Sequence, residues 1–142
     1  MPFASKRKQP ESLRFRAVTP SLTVSDISRS LAWYTKVLGF TVDERYEHDG
    51  KLGGASLVAG DIRWFLSQDD FAKGKDRPKG LGMRFFLETV QDLDQLAAAV
   101  KARGGTLAED VTERSWGTRD FTILDPDGFR LTITRENDAE DA

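Results

Sequence analysis

The chain has no cysteine among its 142 residues. That removes disulfides, thiolate nucleophiles and cysteine-ligated metals in one step. Nothing calls for an oxidising compartment, and a cytoplasmic location is expected. There is one histidine, so neither a histidine-rich metal cage nor a second imidazole base can be built. His48 precedes Asp49-Gly50, a good turn pair, and is expected in solvent at a hairpin tip. No apolar run approaches the ~18 residues of a membrane span. The first ten residues are charged and carry no signal-peptide core. No membrane partner is therefore expected. An excess of one charge is missing as well: 21 Lys and Arg against 23 Asp and Glu give a formal charge of -2. Nucleic acid would need a basic face, and the cluster Lys6-Arg7-Lys8 sits in a patternless tail, so no nucleic-acid partner is expected. A glycine-rich phosphate loop is absent too.

What remains is globular composition, 39% hydrophobic and 31% charged, enough for one domain with a real core. Residues 1–13 read as a flexible N-terminal tail and 136–142 as a flexible acidic tail. Between them the pattern occurs twice. In residues 14–67, an alternating segment over Ala17–Val24 precedes a helix capped by Ser25 or Asp26, with Ile27, Leu31, Tyr34 and Leu38 on one face and Gly39 as the stop. Three strand-like runs follow, Thr41–Tyr46, Ala55–Ala59 and Ile62–Ser67, parted by Asp49-Gly50 and Gly60-Asp61. Residues 68–82 form a linker rich in Asp, Lys and Gly. In residues 83–135 the order restarts: Met83–Glu88, then a helix opened by Asp92 with Gln95 three residues on and closed at Gly104-Gly105. Three more runs complete it, Thr106–Val111, Thr118–Leu124 and Phe129–Arg135. Each half is βαβββ. The expected fold class is α+β, with two βαβββ modules forming a cup-shaped mixed sheet and helices on the outer face.

The residues Leu22-Thr23-Val24-Ser25-Asp26-Ile27-Ser28-Arg29-Ser30-Leu31, Trp33-Tyr34 and Leu38-Gly39-Phe40 lie in the first half. Asp92-Leu93-Asp94, Trp116-Gly117-Thr118-Arg119-Asp120-Phe121 and Asp125-Pro126-Asp127-Gly128-Phe129 lie in the second. In this order and spacing the chain resembles the vicinal oxygen chelate superfamily, which contains glyoxalase I, the extradiol dioxygenases and the bleomycin-resistance proteins, and it looks closest to the metal-independent bleomycin-resistance-like branch. Taken singly, Asp125-Pro126-Asp127-Gly128 is turn chemistry and Trp33 and Tyr34 are helix-face packing.

The resemblance implies a cup that holds one divalent ion in metal-dependent members, through His and Glu side chains from both halves. The matching positions here are Thr19 on the first strand, Trp64 or Phe65 on the fourth, Arg84 or Phe85 on the fifth and Thr132 on the eighth. None is His, Asp or Glu, and no metal or other cofactor is expected. Alternation puts Thr19, Ser21 and Thr132 on the cup side, joined by Arg84, Phe86 and Glu88, by Trp64 or Phe65, and by Trp116, Arg119 and Phe121. Arg84 and Glu88 could also simply pair with each other. Aromatic walls with a few polar groups suit a small, partly aromatic ligand. The leading expectation is a metal-independent binding or sequestering protein. The alternatives are a metal-dependent lyase or dioxygenase-type enzyme, and a non-catalytic interaction or regulatory domain. The resemblance also implies a homodimer.

Overall fold

The computed structural model describes residues 12–139. Most of the two expected tails, including Lys6-Arg7-Lys8, lies outside the described residues. The first module is β1 (Ser21–Val24), α1 (Ile27–Trp33), β2 (Thr41–His48), β3 (Lys51–Ala59) and β4 (Ile62–Gln68). The second is β5 (Phe85–Glu88), α2 (Leu93–Ala102), β6 (Leu107–Glu113), β7 (Thr118–Leu124) and β8 (Arg130–Glu136). The βαβββ order is thus present twice, in two four-stranded mixed sheets ordered β1-β4-β3-β2 and β5-β8-β7-β6. In each the first strand runs parallel to the last, and the other pairings are antiparallel.

The local signals explain most of these boundaries. Asp26 and Asp92 cap the two helices by accepting the backbone N–H of Arg29 and of Gln95. After Trp33 the first helix widens into one π-helical stretch, Tyr34–Leu38, closed by Gly39 at φ +99°. Only glycine takes that backbone without cost. The β2–β3 hairpin turns at Asp49-Gly50, with His48 and its side chain 94% exposed beside it. The strand expected from Ala17 begins only at Ser21: residues 13–19 run exposed outside the sheet, and the Pro20 carbonyl makes the first bond to β4, accepting the Phe65 N–H at 2.9 Å.

Alternation decides the two faces of each sheet. Leu22, Val24, Ala55, Leu57, Trp64 and Leu66 turn towards α1, and Phe85, Leu87, Phe121, Ile123, Leu131 and Ile133 turn towards α2. The helix-bearing faces of the two modules then share one core. Trp64 meets Phe85 with ring centroids 4.9 Å apart, and Ile123, Phe129, Leu131 and Val100 of the second module join the cluster around Tyr34 and Val37 of the first. Gly105 lies where α2 approaches the end of α1, and a Cβ there would stand 2.5 Å from Val100 Cγ1 and 2.8 Å from Val37 Cγ1.

Polar groups at the module junction are matched pairwise. The Tyr34 hydroxyl donates to Asp125 Oδ2 at 2.8 Å, while Asp125 Oδ1 accepts the N–H groups of Asp127 and Phe129. Asp127 in turn accepts the Ser25 N–H and hydroxyl at the start of α1. The Asp125-Pro126-Asp127-Gly128 turn therefore does more than reverse the chain: it fastens the second module to the first helix. Burial raises the Asp125 carboxyl above its ordinary range in spite of these donors, and burial next to Asp125 raises the Tyr34 hydroxyl.

Candidate functional site

Because the helix-bearing faces meet, the opposite faces of both sheets are left turned outwards. The first open face carries Ser21, Thr23, Arg63, Phe65, Ser67 and Ser56, in register across β1, β4 and β3. Phe65 lies over Gly54, where a Cβ would come within 3.0 Å of the ring, and Tyr46 packs on the same ring at 5.7 Å. Beside them Arg63 donates to Asp43, which also accepts from Ser56.

The second open face is built from two rows. One runs Phe86, Thr132, Thr122, Glu109 and the other Glu88, Thr134, Asp120, Thr112. The middle of both rows is buried: Thr122, Thr132, Thr134 and Asp120 are each 0–1% exposed. The Thr122 and Thr132 hydroxyls bond each other at 2.8 Å. Arg114, from the turn before β7, donates from Nε and Nη2 to Asp120 Oδ1 at 3.0 and 2.8 Å, also meets Glu109, and lies 5.9 Å from the Trp116 ring centroid. The Asp120 contact raises the guanidinium's pKa further. Burial raises the Glu88 carboxyl, and the nearby Glu136 carboxylate adds to it.

The expected site residues divide. Ser21, Phe86, Glu88 and Thr132 stand on the open faces; Thr19 is exposed just ahead of β1 and Arg84 just ahead of β5. Trp116 is 57% exposed in the β6–β7 turn. Three placements are corrected. Trp64, 2% exposed, points into the core, since it is in register with Leu57, and its neighbour Phe65 takes the open face. Phe121, fully buried, faces α2 because it pairs with Ile133. Arg119 is on that same side and reaches Asp94 of α2 at 3.2 Å. Arg84 does not pair with Glu88; its guanidinium lies 5.9 Å over the Phe86 ring. Sequence reasoning missed Arg114 and Tyr46, and offered Phe65 only as the alternative to Trp64. The available signal was Asp120, a carboxylate in a buried row that needs a cation beside it.

The fold's metal position fails a test of its donors. The open-face residues nearest the expected ligand positions are Thr19, Phe65, Arg84 or Phe86, and Thr132, and none offers an imidazole or carboxylate. Among the described residues no three His, Cys, Asp or Glu side chains come together to hold an ion.

A family model described as the Glyoxalase/Bleomycin resistance protein/Dioxygenase superfamily matches residues 16–133. The chain belongs to this superfamily. It is similar to a bleomycin resistance protein of Geobacillus stearothermophilus, 28% identical over 129 residues, covering 82% of this chain and 94% of that protein. It is 30% identical over 115 residues to the glutathione transferase FosA of Serratia marcescens, covering 80% of this chain and 75% of that one. A crystal structure of a glyoxalase/bleomycin resistance protein/dioxygenase from Nocardioides superposes with a TM-score of 0.70 at 17% identity, covering 92% of this chain and 89% of that one, which shows the shared fold. No helix among the described residues is long and apolar enough to cross a membrane.

Proposed function

We propose that the open sheet faces bind and sequester a small, partly aromatic molecule without a metal, and that the chain works as a cytoplasmic homodimer in which the faces of two copies close into cups. The observation that carries this reading is the make-up of the open faces. Where metal-dependent relatives would place donors, this chain has Thr132 bonded to Thr122, and exposed rings stand nearby in Phe86 and Trp116, 43% and 57% exposed. Rings with a few fixed polar groups are what small-ligand sites contain. Phe65, Phe86 and Trp116 would stack on the ligand. Thr19, Ser21 and Thr132 would line the cup, and Arg84 and Glu88 would orient the ligand. The bleomycin resistance relative supports a sequestering role. A single chain displays two half-cups facing outwards, and this supports closure by a second copy.

Titration with bleomycin and with other planar aromatic compounds, followed by tryptophan emission, tests the reading. Binding is expected to change emission, and Trp116→Phe to weaken it about two- to tenfold, since aromatic stacking contributes about 0.5–1.5 kcal/mol. Unchanged emission in both proteins for every compound would defeat it. Size-exclusion chromatography with light scattering should give twice the 15.9 kDa of one chain. The likeness to a glutathione transferase favours a second, enzymatic reading. It predicts a bound transition metal, and less than about a tenth of an equivalent after reconstitution would remove it.

A further inference from the structure

A cavity lies in the crease between the two modules, where the edge of the first open face meets the linker. It has a volume of about 290 Å³ and is lined by Ser21, Leu22 and Thr23 of β1, by Arg77–Gly80 and Met83 of the linker, and by Phe85 and Phe129. It sits beside β1 and β5, which are edge strands of their sheets.

The polar side of this crease is unbalanced. The Lys79 side chain is only 5% exposed and its ammonium makes one hydrogen bond, to Asp69 Oδ2 at 2.8 Å. An ammonium carries three donors, and burying unmatched donors is costly. Arg77 reaches the same Asp69 oxygen only at 3.5 Å, and its guanidinium makes no hydrogen bond among the described residues. Two cations thus share one carboxylate, which leaves one positive charge uncompensated. No Asp or Glu lines the cavity, whereas Ser21 and Thr23 add two hydroxyls. The rest of the wall is apolar, from Leu22, Met83, Phe85 and Phe129. A ligand that satisfies both sides carries a single carboxylate on a small apolar body.

We propose that the crease is a binding site for a small amphipathic monocarboxylate, whose oxygens accept the remaining Lys79 and Arg77 donors while its apolar part rests on Met83, Phe85 and Phe129. Charge-assisted, forked contacts of this kind favour a carboxylate over an uncharged amide of the same shape. The site shares Ser21 with the sheet-face reading but neither Trp116 nor Phe86, so ligand-induced shifts around one set or the other tell the two readings apart.

The probe pair is 3-phenylpropanoate and 3-phenylpropanamide, titrated into the full chain and followed by ¹H–¹⁵N NMR. The acid is expected to shift the amides of Ser21, Thr23, Lys79, Gly80 and Phe85 and to bind at least tenfold more tightly than the amide. Arg77→Gln, on a half-exposed side chain, should reduce that preference severalfold without loss of fold. Lys79→Met and Asp69→Asn combined with Arg77→Gln, which removes all three charges together, should abolish it. The proposal is overturned if acid and amide bind alike, if shifts appear only around Phe86, Thr132 and Trp116, or if neither compound shifts the crease at 10 mM. Retention of the preference in Arg77→Gln and in a folded triple variant would overturn it equally.

Discussion

Replacing Tyr34 with Phe removes one atom from the junction between the modules, and the structure fixes what should follow. The hydroxyl is fully buried and donates to Asp125 Oδ2, an oxygen with no other donor among the described residues. Asp125 is itself 4% exposed. Hydrogen bonds to charged acceptors contribute about 1.5–3 kcal/mol, and the ring and its contacts with Trp33, Phe40 and Trp64 survive the change. For a domain of this size that corresponds to a fall in Tm of about 5–12 °C. The pH dependence is more diagnostic. Burial holds the Asp125 carboxyl above its ordinary value, while the Tyr34 bond pulls it down. A raised acid binds its proton more tightly when folded, so native stability from this group declines as pH rises from the ordinary carboxylate range through the native value. Without the hydroxyl the native value moves higher still. The deficit of Tyr34→Phe should therefore be larger at pH 7.5 than at pH 4.5, because the hydroxyl favours the ionised carboxylate over the protonated one. Urea unfolding at both pH values, in a double-mutant cycle with Asp125→Asn, measures it, with a coupling of about 0.5–3 kcal/mol expected. Additive losses with the same deficit at both pH values would refute the reasoning.

Other substitutions probe other joints. Asp69→Asn should lower Tm by several degrees at neutral pH, because it strips the buried Lys79 ammonium of its carboxylate. Lys79 holds the Asp69 carboxyl below its ordinary range, so the stabilisation is present above that range and lost as pH falls through the native value. Wild type and variant should converge on acid unfolding, and parallel acid limbs would contradict this. Gly105→Ala should cost about 1–3 kcal/mol by overpacking against Val37 and Val100, read as a lower urea midpoint at unchanged m; a rise in stability would show that the helices can part there.

The fold was legible in the sequence because its punctuation is local. Asp26, Gly39, Asp49-Gly50, Asp92 and Asp125-Pro126-Asp127-Gly128 each fix a cap or a turn from a few neighbouring residues, and two copies of that punctuation define two modules. The faces were legible only where alternation was clean. In β7, Arg119, Phe121 and Ile123 share one side and Thr118, Asp120 and Thr122 the other. Taking Arg119 and Phe121 as markers of the open face was misleading, because alternation sets both with Ile123 on the side of α2, where Arg119 meets Asp94. In β4 the run Ile62-Arg63-Trp64-Phe65-Leu66 offers an aromatic to each side, and only the pairing of Trp64 with Leu57 decides which one enters the core.

The junction between the modules was less legible than the caps and turns because its contacts span long separations. Tyr34 finds Asp125 91 positions away, and Ser25 finds Asp127 102 away. No periodicity announces such pairs, yet they are what fastens α1 against the β7–β8 turn. That attachment has a consequence for function. With α1 held against the second module, the helix-bearing faces are committed to the shared core, and the polar rows centred on Thr132 and on Phe65 cannot face each other within one chain. Buried threonines and an Arg114–Asp120 pair in a row of β-branched residues cost more than an apolar face would. A sheet selected for stability alone would carry Val or Ile at those positions. The presence of these polar groups on a face turned away from the shared core supports the proposed recognition role.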